Sequence, residues 1–200
     1  MLGEDVTQMR EEDLFELRRG IGMVFQESAL FDSLTVRENV SFRLREEHLP
    51  DDEIERRVRE ALRFVELEHT VDLFPAELSG GMRRRVAIAR AIITEPAVLL
   101  YDSPTGGLDP VTSTTIIELI VKQRDEAHSS ALMVTHRLQD AFTMATHRFN
   151  AQENSMQPLP PGVFVESQTF LVLKDGKVIF DGDDPALACS RDEYIREYIA

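Results

Sequence analysis

Short apolar runs closed by a polar residue alternate in this chain with stretches whose apolar positions recur at helical spacing. Ile21-Gly22-Met23-Val24-Phe25, Ala97-Val98-Leu99-Leu100-Tyr101 and Ala131-Leu132-Met133-Val134-Thr135 are each too short for a helix and are predicted as short buried strands. After Pro50, Ile54, Val58, Ala61, Leu62 and Val65 mark one face of a helix whose start carries Asp51, Asp52 and Glu53, the charge a helix N-terminus favours. Glu53 with Arg57 and Glu55 with Arg59 stand four apart in the favourable order on its solvated side. Met82 to Ala91 is a second helical run, ending before Pro96. Thr169 to Leu173 and Val178 to Phe180, joined through Lys174-Asp175-Gly176-Lys177, predict a hairpin. Asn150 to Gln168, with Pro158, Pro160 and Pro161 among amides and serines, reads as an irregular excursion. The alternation predicts an α/β fold with a mostly parallel sheet. Residues 1–30 then form a first part of the core, 31–78 an inserted helical subdomain, and 79–200 the rest of the core, with a loop at 150–168.

Composition narrows the class. A chain of 200 residues, 42% of them hydrophobic, can bury one substantial core with a smaller appendage. No apolar run approaches the ~18 residues of a membrane span, and Met1-Leu2-Gly3-Glu4-Asp5 lacks the basic and apolar regions of a signal peptide. A single cysteine, Cys189, rules out a disulfide framework and suits a reducing compartment. A formal charge of −14 argues against nucleic acid as a partner, because its phosphates would be repelled. A soluble cytosolic domain is expected.

The chemistry sits at the ends of the predicted strands, where open α/β sheets bind their ligands. Ser79-Gly80-Gly81 before a helix presents bare backbone amides to an anion, and equally reads as a capped surface helix. Asp102, delivered by five apolar residues, is placed to meet a cation such as a water-held magnesium ion; a turn or capping role is the alternative. Asp109 before Pro110 is either an N-cap or a contact across a subunit boundary. His136 follows a strand and can donate to a phosphate, although most solitary histidines are structural. Gln26 closes the first strand, where its amide oxygen can ligate magnesium or a water. A Ser103/His136 hydrolase triad fails because the serine lies in Tyr-Asp-Ser-Pro-Thr and not in Gly-x-Ser-x-Gly. Gly20-Ile21-Gly22 fails as a dinucleotide fingerprint because it precedes a strand and lacks the third glycine.

The order Gln26, Leu78-Ser79-Gly80-Gly81, Asp102, Asp109, His136 resembles the nucleotide-binding subunit of ATP-binding cassette transporters from the glutamine loop onward. In that family these positions match the Q-loop, the signature, Walker B, the D-loop and the H-loop. The resemblance implies a P-loop NTPase-like (RecA-like) core with an inserted helical subdomain. It also implies ATP and Mg2+ as ligands, and a head-to-tail pair in which the signature serine of one subunit closes on the γ-phosphate held by the other. A membrane permease subunit and a second ATP-binding subunit are the implied partners, on the cytoplasmic face of the membrane. Gly22-Met23-Val24-Phe25-Gln26, Ala29 to Val36, Tyr101-Asp102 and Leu108 to Thr112 look most like the branch serving bacterial phospholipid trafficking.

Two departures qualify what the resemblance implies. No Gly-x-x-x-x-Gly-Lys-Ser/Thr loop lies between Met1 and Ala200, and Lys122, Lys174 and Lys177 follow no glycine loop. Gly3-Glu4-Asp5-Val6-Thr7 looks like the interior of a family member, so a missing beginning is expected, as is poor ATP binding by the chain alone. Ser103 stands where the family usually carries the glutamate that polarises the attacking water, and loss of a positioned base costs about 10²–10⁴-fold. The rival reading is a non-catalytic cassette module supplying its signature face in trans. A soluble cassette ATPase acting on chromosomes or ribosomes is disfavoured, since no long coiled coil or basic run is present.

Overall fold

The computed structural model describes residues 5–127, 129–165 and 168–199. Met1 to Glu4, and Glu166 and Ser167 of the expected loop, lie outside the described residues. Three parallel strands, β1 (Ile21–Val24), β2 (Val98–Asp102) and β3 (Ser130–Val134), form one sheet in that order, with Val24 opposite Tyr101 and Asp102 opposite Val134. The α/β fold with a parallel sheet is therefore as the alternation of patterns predicts, with β2 at its centre, where Leu99 and Tyr101 are buried.

The buried-strand expectation fails at β3. Leu132 is 54% exposed and Val134 60% exposed, two residues apart on one face of the sheet's edge strand, a face that is open to solvent. Its apolar run therefore records a β conformation without recording burial, which short runs do not distinguish.

Helices supply the other layer. Helix α1 (Glu11–Arg19) precedes β1; α2 (Val36–Glu46), α3 (Asp51–Phe64) and α4 (Gly80–Ile92) intervene between β1 and β2. Helix α5 (Pro110–Glu126) links β2 to β3, and α6 (Leu138–Thr146) follows β3. The α3 stripe behaves as its spacing predicts: Ile54, Val58, Ala61 and Leu62 are buried, joining Val40 and Leu44 of α2 and Val86 to Ala89 of α4 in the main core. On the outer side the expected pairs form, Arg57 to Glu53 at 2.6 Å and Arg59 to Glu55 at 2.7 Å. Thr35 and Glu38 form a reciprocal capping box at the start of α2.

The stretch 150–168 is more regular than its prolines suggest. Strand β5 (Ser155–Pro158) pairs antiparallel with β4 (His147–Asn150), turning at Asn154, whose φ of 47° is one that asparagine tolerates. Pro158 ends β5, where the missing amide does no harm. The last hairpin, β6 (Phe170–Lys174) with β7 (Lys177–Gly182), turns on Asp175 and Gly176, both with positive φ (51° and 74°), as a type I′ turn requires. Helices α7 (Asp184–Ala188) and α8 (Glu193–Ile199) complete a small second cluster around Ala145, Phe170, Leu187 and Ile195.

Asp125, at the end of α5, fastens β4. Its carboxylate accepts from the Phe149 amide (2.8 Å) and pairs with Arg124, which donates to the carbonyls of Met144 and His147. Burial pushes the Asp125 carboxyl up, but the Arg124 and Phe149 bonds and the charges of Arg124 and Arg148 outweigh it and hold the group below its ordinary value of 3.8. Its contribution is thus fully present above the unfolded value and is lost as pH falls through the lower folded one. Wild type is expected to lose more thermal stability than Asp125→Asn between about pH 5 and about pH 2; parallel melting-temperature profiles would overturn this.

Candidate functional site

The parallel register brings three of the candidate segments to the carboxyl ends of the three strands. Gln26 lies two residues beyond β1, Asp102 is the last residue of β2, and His136 lies two residues beyond β3. Ser103 leaves β2 with a left-handed backbone (φ 44°) and donates its amide to Val134 O at 2.8 Å. The loop then folds back, Gly106 N donating to Ser103 O (2.9 Å). A methyl group placed on Gly106 would stand 3.5 Å from both Gln26 Nε2 and Ser103 Cβ, so the Gln26 side chain lies over this loop. Gln26 and His136 are exposed and Asp102 half-buried, an accessible rim.

A second group adjoins the far end of the same loop. Ser79 caps α4, its hydroxyl accepting from Met82 N at 3.2 Å. A methyl on Gly80 would meet Leu108 Cδ2 at 3.8 Å, and one on Gly81 would strike Thr112 Cγ2 at 2.5 Å. Gly81 is thus small because α4 and α5 approach closely here, a reason independent of any anion. Asp109 caps α5, accepting from Thr112 N (3.0 Å) and Thr112 Oγ1 (2.5 Å). Those hydroxyl and amide bonds hold the Asp109 carboxyl below its ordinary range. Of the two roles open to Asp109, capping is the one this geometry displays.

Residues that sequence reasoning passed over hold the loops in place. Arg84 of α4 is 5% exposed and donates Nη1 to Phe25 O (2.8 Å) and Nη2 to Gly106 O (3.2 Å). Arg90, further along the same helix, donates to Ala29 O (2.7 Å) and Ser28 O (2.9 Å). Ser28 and Ala29 are consecutive left-handed residues (φ 66° and 48°), a strained bend of the kind that persists only where its surroundings over-determine it. Asp140 of α6, 4% exposed, accepts from the buried Thr105 hydroxyl and pairs with Arg137 at 3.6 Å, while Arg137 donates to Ser113 Oγ of α5 at 2.7 Å. Four arginines (Arg83, Arg84, Arg85 and Arg90) inside an alanine-containing helical run were the available sequence signal for the first pair, with nothing to mark which of them reach the two loops.

Among the described residues there is no group of three or more His, Cys, Asp or Glu side chains that could hold a metal. A magnesium ion that keeps most of its waters needs only one or two carboxylates beside substrate phosphates. A half-buried Asp102 at a strand end, with the Gln26 amide close to the adjoining loop, fits that requirement.

The comparisons agree with this architecture. A family model described as ABC transporter matches residues 1–106. Methionine import ATP-binding protein MetN 1 of Bacillus cereus is 43% identical over 135 residues, which cover 68% of this chain and 39% of that protein. MetN of Bifidobacterium longum is 39% identical over 138 residues, covering 69% and 34%. This chain therefore spans roughly two fifths or less of the curated relatives it matches. Among solved structures, the ATP-binding cassette MJ0796, a dimer in a post-hydrolysis state bound to ADP and Pi, superposes with a TM-score of 0.70 at 30% identity, covering 90% of this chain and 70% of that one. CbiO1 of Clostridium perfringens, part of the ABC transporter complex cbiONQ, gives 0.70 at 32% identity, covering 94% and 66%. With more than half of its length matched by the family model and the cassette fold recovered over most of the rest, the chain belongs to the ABC transporter family.

Proposed function

We propose that this chain belongs to the ATP-binding subunit of an ABC transporter, coupling ATP binding and hydrolysis to movement of a cargo across a membrane. The observation that carries the reading is the gathering of Gln26, Asp102 and Ser103 along one loop that also reaches Gly80 and Asp109. In this reading Asp102 and Gln26 hold Mg2+, which neutralises charge developing on the phosphates. His136 donates to the γ-phosphate. Ser79, Gly80 and Gly81 turn capped-helix amides and a hydroxyl toward ATP held by a second ATP-binding subunit, with Asp109 at the boundary. Ser103 occupies the position of the usual base, where a hydroxyl can orient a water but takes no proton from it at neutral pH.

The helical segment 31–78 is the proposed contact with a membrane permease subunit. Phe31 and Phe42 stack there at 4.9 Å while remaining 45% and 39% exposed, an apolar surface beside the Gln26 loop. No helix among the described residues is long and apolar enough to cross a membrane. The association proposed from family membership is peripheral, on the cytoplasmic face. Phospholipid as the cargo finds no support in the two curated relatives named above, which are called methionine import proteins. In this reading cargo choice lies with the membrane and substrate-binding subunits.

Ser103 favours one second reading, a module that contributes its signature face without turning over nucleotide itself. Equilibrium ATP binding and steady-state hydrolysis, each with and without a complete cassette subunit, separate the two. The motor reading expects hydrolysis that depends on Asp102 of this chain. Hydrolysis unaffected by Asp102→Ala but reduced by Ser79→Ala selects the module, and absence of nucleotide binding in every mixture sinks both.

A further inference from the structure

The buried guanidinium of Arg84 lies between three segments that are far apart in sequence. Its Nη1 donates to Phe25 O, the carbonyl that also takes the Ser28 amide at 3.0 Å and so sets the turn carrying Gln26. Its Nη2 donates to Gly106 O in the loop that runs from Ser103 to Asp109. Its own backbone belongs to α4, one turn beyond the Ser79 cap. Nε is buried with no hydrogen-bond partner among the described residues, so there the side chain is held by its two terminal nitrogens. Burying an arginine carries a large desolvation cost, and here burial does push the guanidinium below its ordinary value, opposed by the nearby charges of Glu27 and Asp102. Among the described residues no carboxylate pairs with it directly; the two bonds it makes there go to backbone carbonyls.

That arrangement is poorly explained by stability alone, since a leucine or methionine stem would fill the same volume without desolvation. The fork geometry of a guanidinium suits a different task, holding two acceptors at fixed separation. We infer that Arg84 is a positioning residue that makes the Gln26 turn and the 103–109 loop move with the Ser79 helix as one unit. Arg90 does part of this work, gripping Ser28 O and Ala29 O, and its reach stops short of the second loop. The inference rests on the proposed function only for the purpose of the unit; the linkage itself is a property of this chain.

Amide hydrogen exchange of the full chain without nucleotide tests it, read at Ser28, Gly106 and Leu108, whose amides bond within the two loops. Arg84→Met is expected to speed exchange about tenfold at both loops. Arg90→Met is expected to speed it at Ser28 and leave Gly106 unchanged. Val86→Ala, a cavity on the buried face of the same helix, serves as the control of matched stability. Faster exchange after Arg84→Met at one loop only, or at both by no more than the Val86→Ala control, overturns the proposal. If Arg84→Met does not fold, Arg84→Lys decides: the ammonium gathers its donors on one atom in place of the planar fork that reaches both carbonyls, so exchange quickens in at least one loop, whereas wild-type exchange at both overturns it. Because no nucleotide is present, failure of ATP binding would remove the functional reading and leave this result standing.

Discussion

Replacing Gly22 by alanine is expected to cost about 3 kcal/mol or more, enough to leave a domain of ordinary stability largely unfolded at moderate denaturant. The added methyl would lie 2.4 Å from Ala91 O, 2.8 Å from Leu99 Cδ2 and 3.0 Å from Pro96 Cγ. Leu99 can rotate, but the Ala91 carbonyl belongs to the last turn of α4 and Pro96 to the rigid entry into β2. Relief therefore requires β1 to leave either its sheet partner or the helix that covers it. The glycine that sequence reading set aside as half a dinucleotide fingerprint is there to let a strand lie against a helix end. Urea unfolding checks the prediction, and a loss below about 1 kcal/mol would show that the strand can shift after all.

Asp140→Ala is expected to destabilise by about 2–4 kcal/mol, since it leaves the Thr105 hydroxyl, 1% exposed, without its acceptor and takes the carboxylate from Arg137. The effect should be strongly non-additive. In a double-mutant cycle with Thr105→Val, the second substitution adds little once the first is made, because both remove the same buried bond. A coupling below about 0.5 kcal/mol would mean that Thr105 and Asp140 act separately. The pair joins the loop after Asp102 to the helix after His136, so the same variant is expected to loosen both.

What the sequence revealed and what it hid divide along physical lines. Local chemistry was legible: the α3 stripe, its four-apart ion pairs, the Asp175-Gly176 turn and the Ser79 cap all depend on residues near one another in the chain. The Thr35-x-x-Glu38 box is equally local. The order of the candidate residues was legible too, but not the means that bring them together. Arg84 to Gly106 and Thr105 to Asp140 span 22 and 35 residues, and nothing in either residue type announces its partner. The exposure of β3 was hidden for a different reason, because an apolar strand at an edge has the same composition as one in the middle.

Ser103 is aimed by its backbone. Its left-handed bend is fixed by main-chain bonds at both ends, Ser103 N to Val134 O and Gly106 N to Ser103 O. The direction in which its Cβ leaves the chain is consequently decided by the backbone, whatever group is attached. The position works like a socket, in which the reagent is exchanged by a single codon while the aim stays constant.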